Sequence, residues 1–217
     1  MRERARILVL NTTLYGEKSL IVHCISDLWG RRSFITSRGG KTSAGLFSPM
    51  NILDCEVTPN TKSDLWRLHS PALRHPLMSI RSSIPKTSIS LFMSEVLYRT
   101  VREPVADDSG LFNWCEQSVL TLDALESDYS NFHLVFLLGL AAALGFRPTA
   151  ESMAPYAGEN FLLLKEFLTT DTAGAMLISL SGSRRADLCR CILKYLEHHT
   201  ESRIEVKSLD VLHELFA

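Results

Sequence analysis

The stretch RILVLNTTLYGEKSLIVHCISDLWGRRSFITS, Arg6 to Ser37, decides how the chain begins to fold. Arg6 to Asn11 and Leu20 to Ser26 are short apolar runs rich in Ile, Val and Leu, and Leu14-Tyr15-Gly16-Glu17-Lys18 between them is a polar stretch with a glycine for a turn. This pattern predicts a hairpin. The turn Asp27-Leu28-Trp29-Gly30 leads into a third strand, Arg31 to Ser37, and Ile52 to Val57 and Leu65 to His69 complete a set of five. Arg38 to Ser48, rich in Gly, Ser and Thr, reads as a loop. Five short strands with no strong helix among them fit a small closed barrel.

After Pro85 the apolar period becomes helical. Thr87 or Ser88 can cap a helix through Arg102, stopped by Pro104, and Asp108 or Ser109 can cap the next, through Glu126. Asn131 starts FHLVFLLGLAAALGF, which ends at Gly145 with Pro148 beyond. A helix apolar on all sides belongs at the centre of its domain. Arg147 to Gly158, with two prolines and little periodicity, reads as a loop, and Asn160 to Thr169 and Thr172 to Leu180 are short segments of open state. Ser183 is placed to cap an amphipathic helix carrying Leu188, Cys191, Ile192, Tyr195 and Leu196, and a last short helix follows Ser208.

Charge is unevenly spread. Residues 1–75 hold 11 Lys and Arg against 6 Asp and Glu, whereas residues 76–217 hold 12 against 18. A basic first third beside an acidic remainder suggests two units with different partners, and nucleic acid is a natural partner for the first. Five cysteines, an odd number, give no disulfide framework, and Cys189 and Cys191 sit two apart on a helix, pointing to nearly opposite sides. The chain has no CxxC, so no metal site is expected. Four apolar residues after MRERAR make no secretory signal, and Phe132 to Phe146 is shorter than the roughly 18 residues of a membrane span. A cytoplasmic protein without membrane contact is expected.

Catalytic motifs are missing: there is no P-loop, GxGxxG, HExxH or GxSxG. His198 and His199 lie near a helix end, and Asp107 and Asp108 precede a helix start; the helix dipole favours both placements without any catalytic role. No enzyme and no cofactor are expected.

Several blocks together resemble the RecO family of DNA repair and recombination mediators. They are ILVLNTTLYGEKSLIVHCIS, WGRRSFITSRGGK with LFSPMNILDCEV, AAALGFRP, and CRCILKYLEHHTESRIEVKSLDVLHELF, in that family's order. The resemblance implies an α+β protein with an N-terminal OB-fold β-barrel, residues 1–78, and an all-helical domain, residues 79–217. It further implies binding of single- and double-stranded DNA, annealing of complementary strands, and help in loading RecA on DNA covered by single-strand-binding protein. RecR and the C-terminal tail of the single-strand-binding protein would be partners, and nucleoid association would follow. Many members carry four cysteines as a zinc finger after the Leu-Gly-aromatic helix end. Arg147 to Gly158 has none, which places the chain in the zinc-free branch. Members also often carry charge in the central helix near the groove for the acidic tail; His133 to Leu144 is apolar apart from the histidine.

The family's basic-Gly-small-basic pattern matches Arg38-Gly39-Gly40-Lys41, and its Tyr-Gly-Glu turn matches Tyr15-Gly16-Glu17. Arg38 and Lys41 are therefore the foremost candidates for phosphate contact, with Gly39 and Gly40 letting a nucleic-acid backbone approach. Arg31 and Arg32, which must point to opposite faces of a strand, are further candidates, and Arg6, Lys18 and Arg67 could extend the surface. Arg31 and Arg32 could equally be solvated edge charges, with Trp29 and Phe34 in the core. An OB-type adaptor for RNA or protein, or an enzyme with a dispersed site, remain the alternative functions.

Overall fold

The computed structural model describes residues 2–38, 43–60, 62–101 and 109–216. Its chain divides into two compact units, Met1–Met78 with Val101–Leu120, and Ser79–Thr100 with Thr121–Ala217. The first is built on β1 (Glu3–Tyr15), β2 (Ser19–Ser26), β3 (Gly30–Ser37), β4 (Ile52–Thr58) and β5 (Trp66–Leu73), closed in the order β1-β2-β3-β5-β4. The long first strand serves two neighbours: Glu3 to Leu8 pair with Val57 to Ile52, and Ile7 to Tyr15 pair with Ser26 to Ser19, with a register shift between Val9 and Asn11. Closure comes from two parallel pairs, Phe34 with Trp66 and Ile35 with Arg67. Ile7, Val9, Val22, Cys24, Phe34, Leu53, Val57 and Leu68 fill the interior. Leu8 and Leu10 are also buried, so both faces of this part of β1 are covered, which is why its sequence is continuously apolar instead of alternating.

Within the segment that reads as a loop, Ser43–Leu46 forms a short helix, α1. Asn51 holds it: buried beside the barrel, its Nδ2 donates to the carbonyls of Gly45 (2.8 Å) and Leu46 (2.9 Å). These helix-end carbonyls lack intrahelical partners, and a side-chain amide supplies them.

The first unit also takes in most of α4 (Ser109–Ala124). Arg6 is the reason. Its NH1 donates to Glu116 Oε2 (2.7 Å), its NH2 to Asn113 Oδ1 (3.2 Å) and its Nε to Asp27 Oδ2 (3.0 Å), while the guanidinium lies over Phe112. Glu116, with its side chain 8% exposed, also faces Arg74 Nε at 3.4 Å and His75 Nε2 at 3.7 Å. Burying a carboxylate is costly unless it is paired, and the two arginines supply that pairing. Asp107 and Asp108 lie outside the described residues.

In the second unit, α2 (Met78–Ser82) and α3 (Ile84–Thr100) precede α5 (Phe132–Ala143), α6 (Ala150–Ala157), α7 (Phe161–Thr169), α8 (Thr172–Leu177), α9 (Gly182–Thr200) and α10 (Ser208–Leu215). The apolar α5 buries Phe132, Leu134, Phe136, Leu137 and Leu140. It stops as its composition predicts: Gly145 takes a φ of +90°, its N–H donates to Ala142 (3.1 Å), and the N–H of Phe146 reaches back to Ala141 (2.8 Å).

Several sequence readings are corrected. Thr87 and Ser88 lie inside α3, which begins at Ile84, and do not cap it. Residues 150–157 are helical, not loop, because Thr149 and Ser152 form a reciprocal capping box and Met153 and Ala157, four apart, are buried; Pro155 removes one N–H without breaking so short a helix. The cap of α9 is Ser181, not Ser183: Ser181 is extended and its side chain accepts from the Arg184 N–H (3.4 Å). Asn131 stands at the N-terminus of α5 but does not cap it with its side chain. Its Nδ2 donates instead to the carbonyls of Ala175 (3.1 Å) and Ile178 (2.8 Å), and its Oδ1 accepts from Arg185 Nε (3.0 Å). Arg185 also donates to the carbonyls of Leu180 and Phe216, so one buried cation gathers α5, α9 and the residue after α10. Burial, and then the Arg185 charge, push the His133 imidazole down to about 3. No helix among the described residues is long and apolar enough to cross a membrane.

Candidate nucleic-acid interface

The hairpin β1–β2 is paired up to its turn, with Leu14 opposite Leu20 and Tyr15 opposite Ser19, and Gly16 provides the left-handed residue (φ +63°). Arg38, at the end of β3, donates its backbone N–H to the carbonyl of Lys18 (2.7 Å). The start of the basic segment is thereby tied to the hairpin tip, and both Lys18 and Arg38 are exposed. Gly39, Gly40 and Lys41 lie outside the described residues, and Asn51 holds the segment that follows them.

Arg31 and Arg32 are half-buried on adjacent positions of β3. Arg31 NH1 donates to the Cys24 carbonyl at 3.4 Å. The Arg32 guanidinium stacks on Trp66, 4.0 Å from the ring centre, and its Nε is buried without a hydrogen-bond partner among the described residues. Trp66 meets Trp29 edge-on at 5.2 Å, and Trp29 meets Phe34 at 6.1 Å. Phe34 is fully buried, so these aromatics consolidate the barrel. Across the outer face, Thr13 Oγ1 and His23 Nε2 are 3.2 Å apart, and His23 Nδ1 and Ser33 Oγ are 2.8 Å apart. Burial, then the nearby Arg31 charge, lower the His23 pKa and favour neutral imidazole.

Of the residues expected to extend the surface, Arg6 does not: its N–H groups are spent on Asp27, Asn113 and Glu116. Those partners are distant in sequence, so only the fold reveals the engagement. Arg67 is exposed on β5. Burial pushes the Cys55 thiol up to about 12 and raises Cys24 as well, so both act as core residues. Among the described residues no three His, Cys, Asp or Glu side chains are grouped to hold a metal ion.

Comparison with known proteins gives this geometry a family. The model described as recombination protein O C terminal matches residues 81–154. A DNA repair protein RecO of Bacteroides fragilis is 31% identical over 237 aligned positions, covering 96% of this chain and 97% of the relative. The chain belongs to the RecO family of DNA repair proteins. Likeness to the RecO of Phocaeicola vulgatus is 30% with 97% of both chains covered, and to that of Flavobacterium psychrophilum 26% over the whole of both. The closed five-stranded barrel and the helices after it are the α+β, OB-like architecture expected of a RecO protein from the sequence blocks. Residues 1–75, which bring the net positive charge, include all five strands, so in this RecO-family chain the barrel unit is where cations are concentrated.

Proposed function

We propose that this protein is a recombination mediator that binds single- and double-stranded DNA through its barrel unit and anneals complementary strands. It assists RecA loading on DNA covered by single-strand-binding protein, with RecR and the tail of that protein as partners, and it acts without a catalytic turnover or a cofactor. The observation carrying this reading is the likeness to DNA repair proteins RecO along 96% of the chain. The basic balance of residues 1–75 and the tie between Arg38 and the hairpin tip support it.

In this reading Arg38 and Lys41 contact phosphates, Gly39 and Gly40 let the backbone approach, and Arg31 and Arg32 lie on the strand leading to them. Four such cations would give a slope of log affinity against log salt of roughly −3 on a single strand. Annealing follows when one surface screens the repulsion between two strands. The test is strand annealing across a salt series, with and without the cognate single-strand-binding protein, for the protein and for an Arg38→Glu, Lys41→Glu double variant. Acceleration at low salt that is lost in the variant, with native circular dichroism, is expected. No acceleration by the unaltered protein would overturn the reading.

A further inference from the structure

We propose that Tyr15, at the tip of the β1–β2 hairpin, is a stacking platform for an unpaired base, which makes the hairpin a subsite selective for single-stranded over duplex DNA. This rests on the DNA-binding reading above and assigns that site a specificity residue.

Base stacking needs an accessible aromatic face on a firm support. Within residues 2–78, Phe34 and Phe47 are buried, Trp29 and Trp66 are half-buried against each other and the core, and Arg32 occupies a face of Trp66. Tyr15 is the exposed aromatic among the described residues of that stretch, at 55%, beside Leu14 at 61%. Among the described residues no hydrogen bond or ring contact engages its side chain. A solvent-exposed aromatic ring at a hairpin tip is open to a base, and base–aromatic stacking is a recurring way to hold a single strand.

The support is hydrogen-bonded up to the turn. Strand pairing continues to Tyr15 and Ser19, and the Arg38 N–H bond to the Lys18 carbonyl joins β3 to the same tip. Little ordering entropy is therefore left to lose on binding. Lys18 follows Tyr15 by three residues in the turn, and its carbonyl accepts the Arg38 N–H (2.7 Å), so two exposed basic residues belong to the same tip. Glu17 shares the turn, so the tip offers a ring more than it offers charge. Strand alternation sets Tyr15 on the face of Thr13, whose hydroxyl meets His23 and, through it, Ser33. A single strand leaving Tyr15 would run onto this hydroxyl and imidazole row, where polar edges of bases find partners. Duplex DNA has its bases already stacked and offers only its backbone, so it gains nothing from the ring.

The experiment compares the full chain with its Tyr15→Ala and Tyr15→Phe variants for affinity toward a single-stranded oligonucleotide and toward relaxed closed-circular duplex, which has no ends, each over a salt series. Tyr15→Ala should weaken single-strand binding roughly 5- to 150-fold, the range for loss of one base stack, with Tyr15→Phe within about twofold of the parent. Duplex affinity and both salt slopes should stay unchanged. An equal loss on both DNAs, no loss on the single strand, or a Phe variant as weak as the Ala variant would each overturn the inference. If the unaltered protein bound neither DNA, the reading of function itself would fall.

Discussion

Replacing Glu116 by Gln tests what binds α4 to the barrel. The carboxylate accepts a 2.7 Å hydrogen bond from Arg6 and faces Arg74 and His75 within 4 Å, and its Oε1 has no hydrogen-bond partner among the described residues. Removing one member of a buried ion pair costs about 3–5 kcal/mol. Here the side chains of Arg6 and Arg74 are 28% and 39% exposed, so solvent screens part of that interaction. Arg6 also keeps Asp27, Arg74 keeps Asp54, and Gln retains an acceptor for Arg6. We expect a loss of about 1–2 kcal/mol for Gln and about 2–3 kcal/mol for Ala. For a unit of about 100 residues, the Gln loss lowers the unfolding midpoint by roughly 4–16 °C. The assay is built into the chain: its three tryptophans, Trp29, Trp66 and Trp114, all belong to the first unit, so their fluorescence follows that unit, while helical circular dichroism is weighted to the second. A cycle with Arg6→Met should give a coupling of about 1 kcal/mol or more. A coupling near zero, or a shift in the helical signal with the tryptophan transition unmoved, would refute the reasoning.

Two further outcomes are expected. His133 is buried with its pKa lowered to about 3, so the unfolded chain, with an ordinary imidazole near 6.5, binds the extra proton. The neutral-His contribution is therefore fully present above pH 6.5 and is lost as pH falls toward 3, at up to about 1.4 kcal/mol per pH unit. Urea unfolding followed by circular dichroism at several pH values should show this slope, and His133→Leu should flatten it. Asn131→Leu leaves Arg185 Nε and the carbonyls of Ala175 and Ile178 without their partner, at a cost of about 2–4 kcal/mol. The same urea titration checks this, and an unshifted midpoint would show that Asn131 does not hold the helices together.

Much of the architecture was legible because it is written in local patterns. The apolar runs of Arg6 to Ser37 and their glycine turns specify paired strands, and Gly145 with Pro148 specifies where α5 stops, since each depends on residues a few positions apart. Composition misled at residues 150–157, where prolines suggested a loop and a Thr149–Ser152 capping box started a helix. The sequence offered Arg31, Arg32, Arg38 and Lys41 as candidate cations, but not that Arg31 bonds the Cys24 carbonyl or that Arg32 stacks on Trp66.

Sequence by itself determined the succession of five strands, the change to helix after them, the concentration of positive charge in residues 1–75, and the blocks of family likeness, because these need no long-range contact. Tertiary structure decided that Arg6 is a tether held by Asp27 and Glu116, that Arg32 caps Trp66, that Asn131 is an anchor and that Tyr15 stands exposed. The physical reason is distance along the chain: Arg6 and Glu116 are 110 residues apart, and only closure of the fold sets which charges meet a partner and which rings meet solvent.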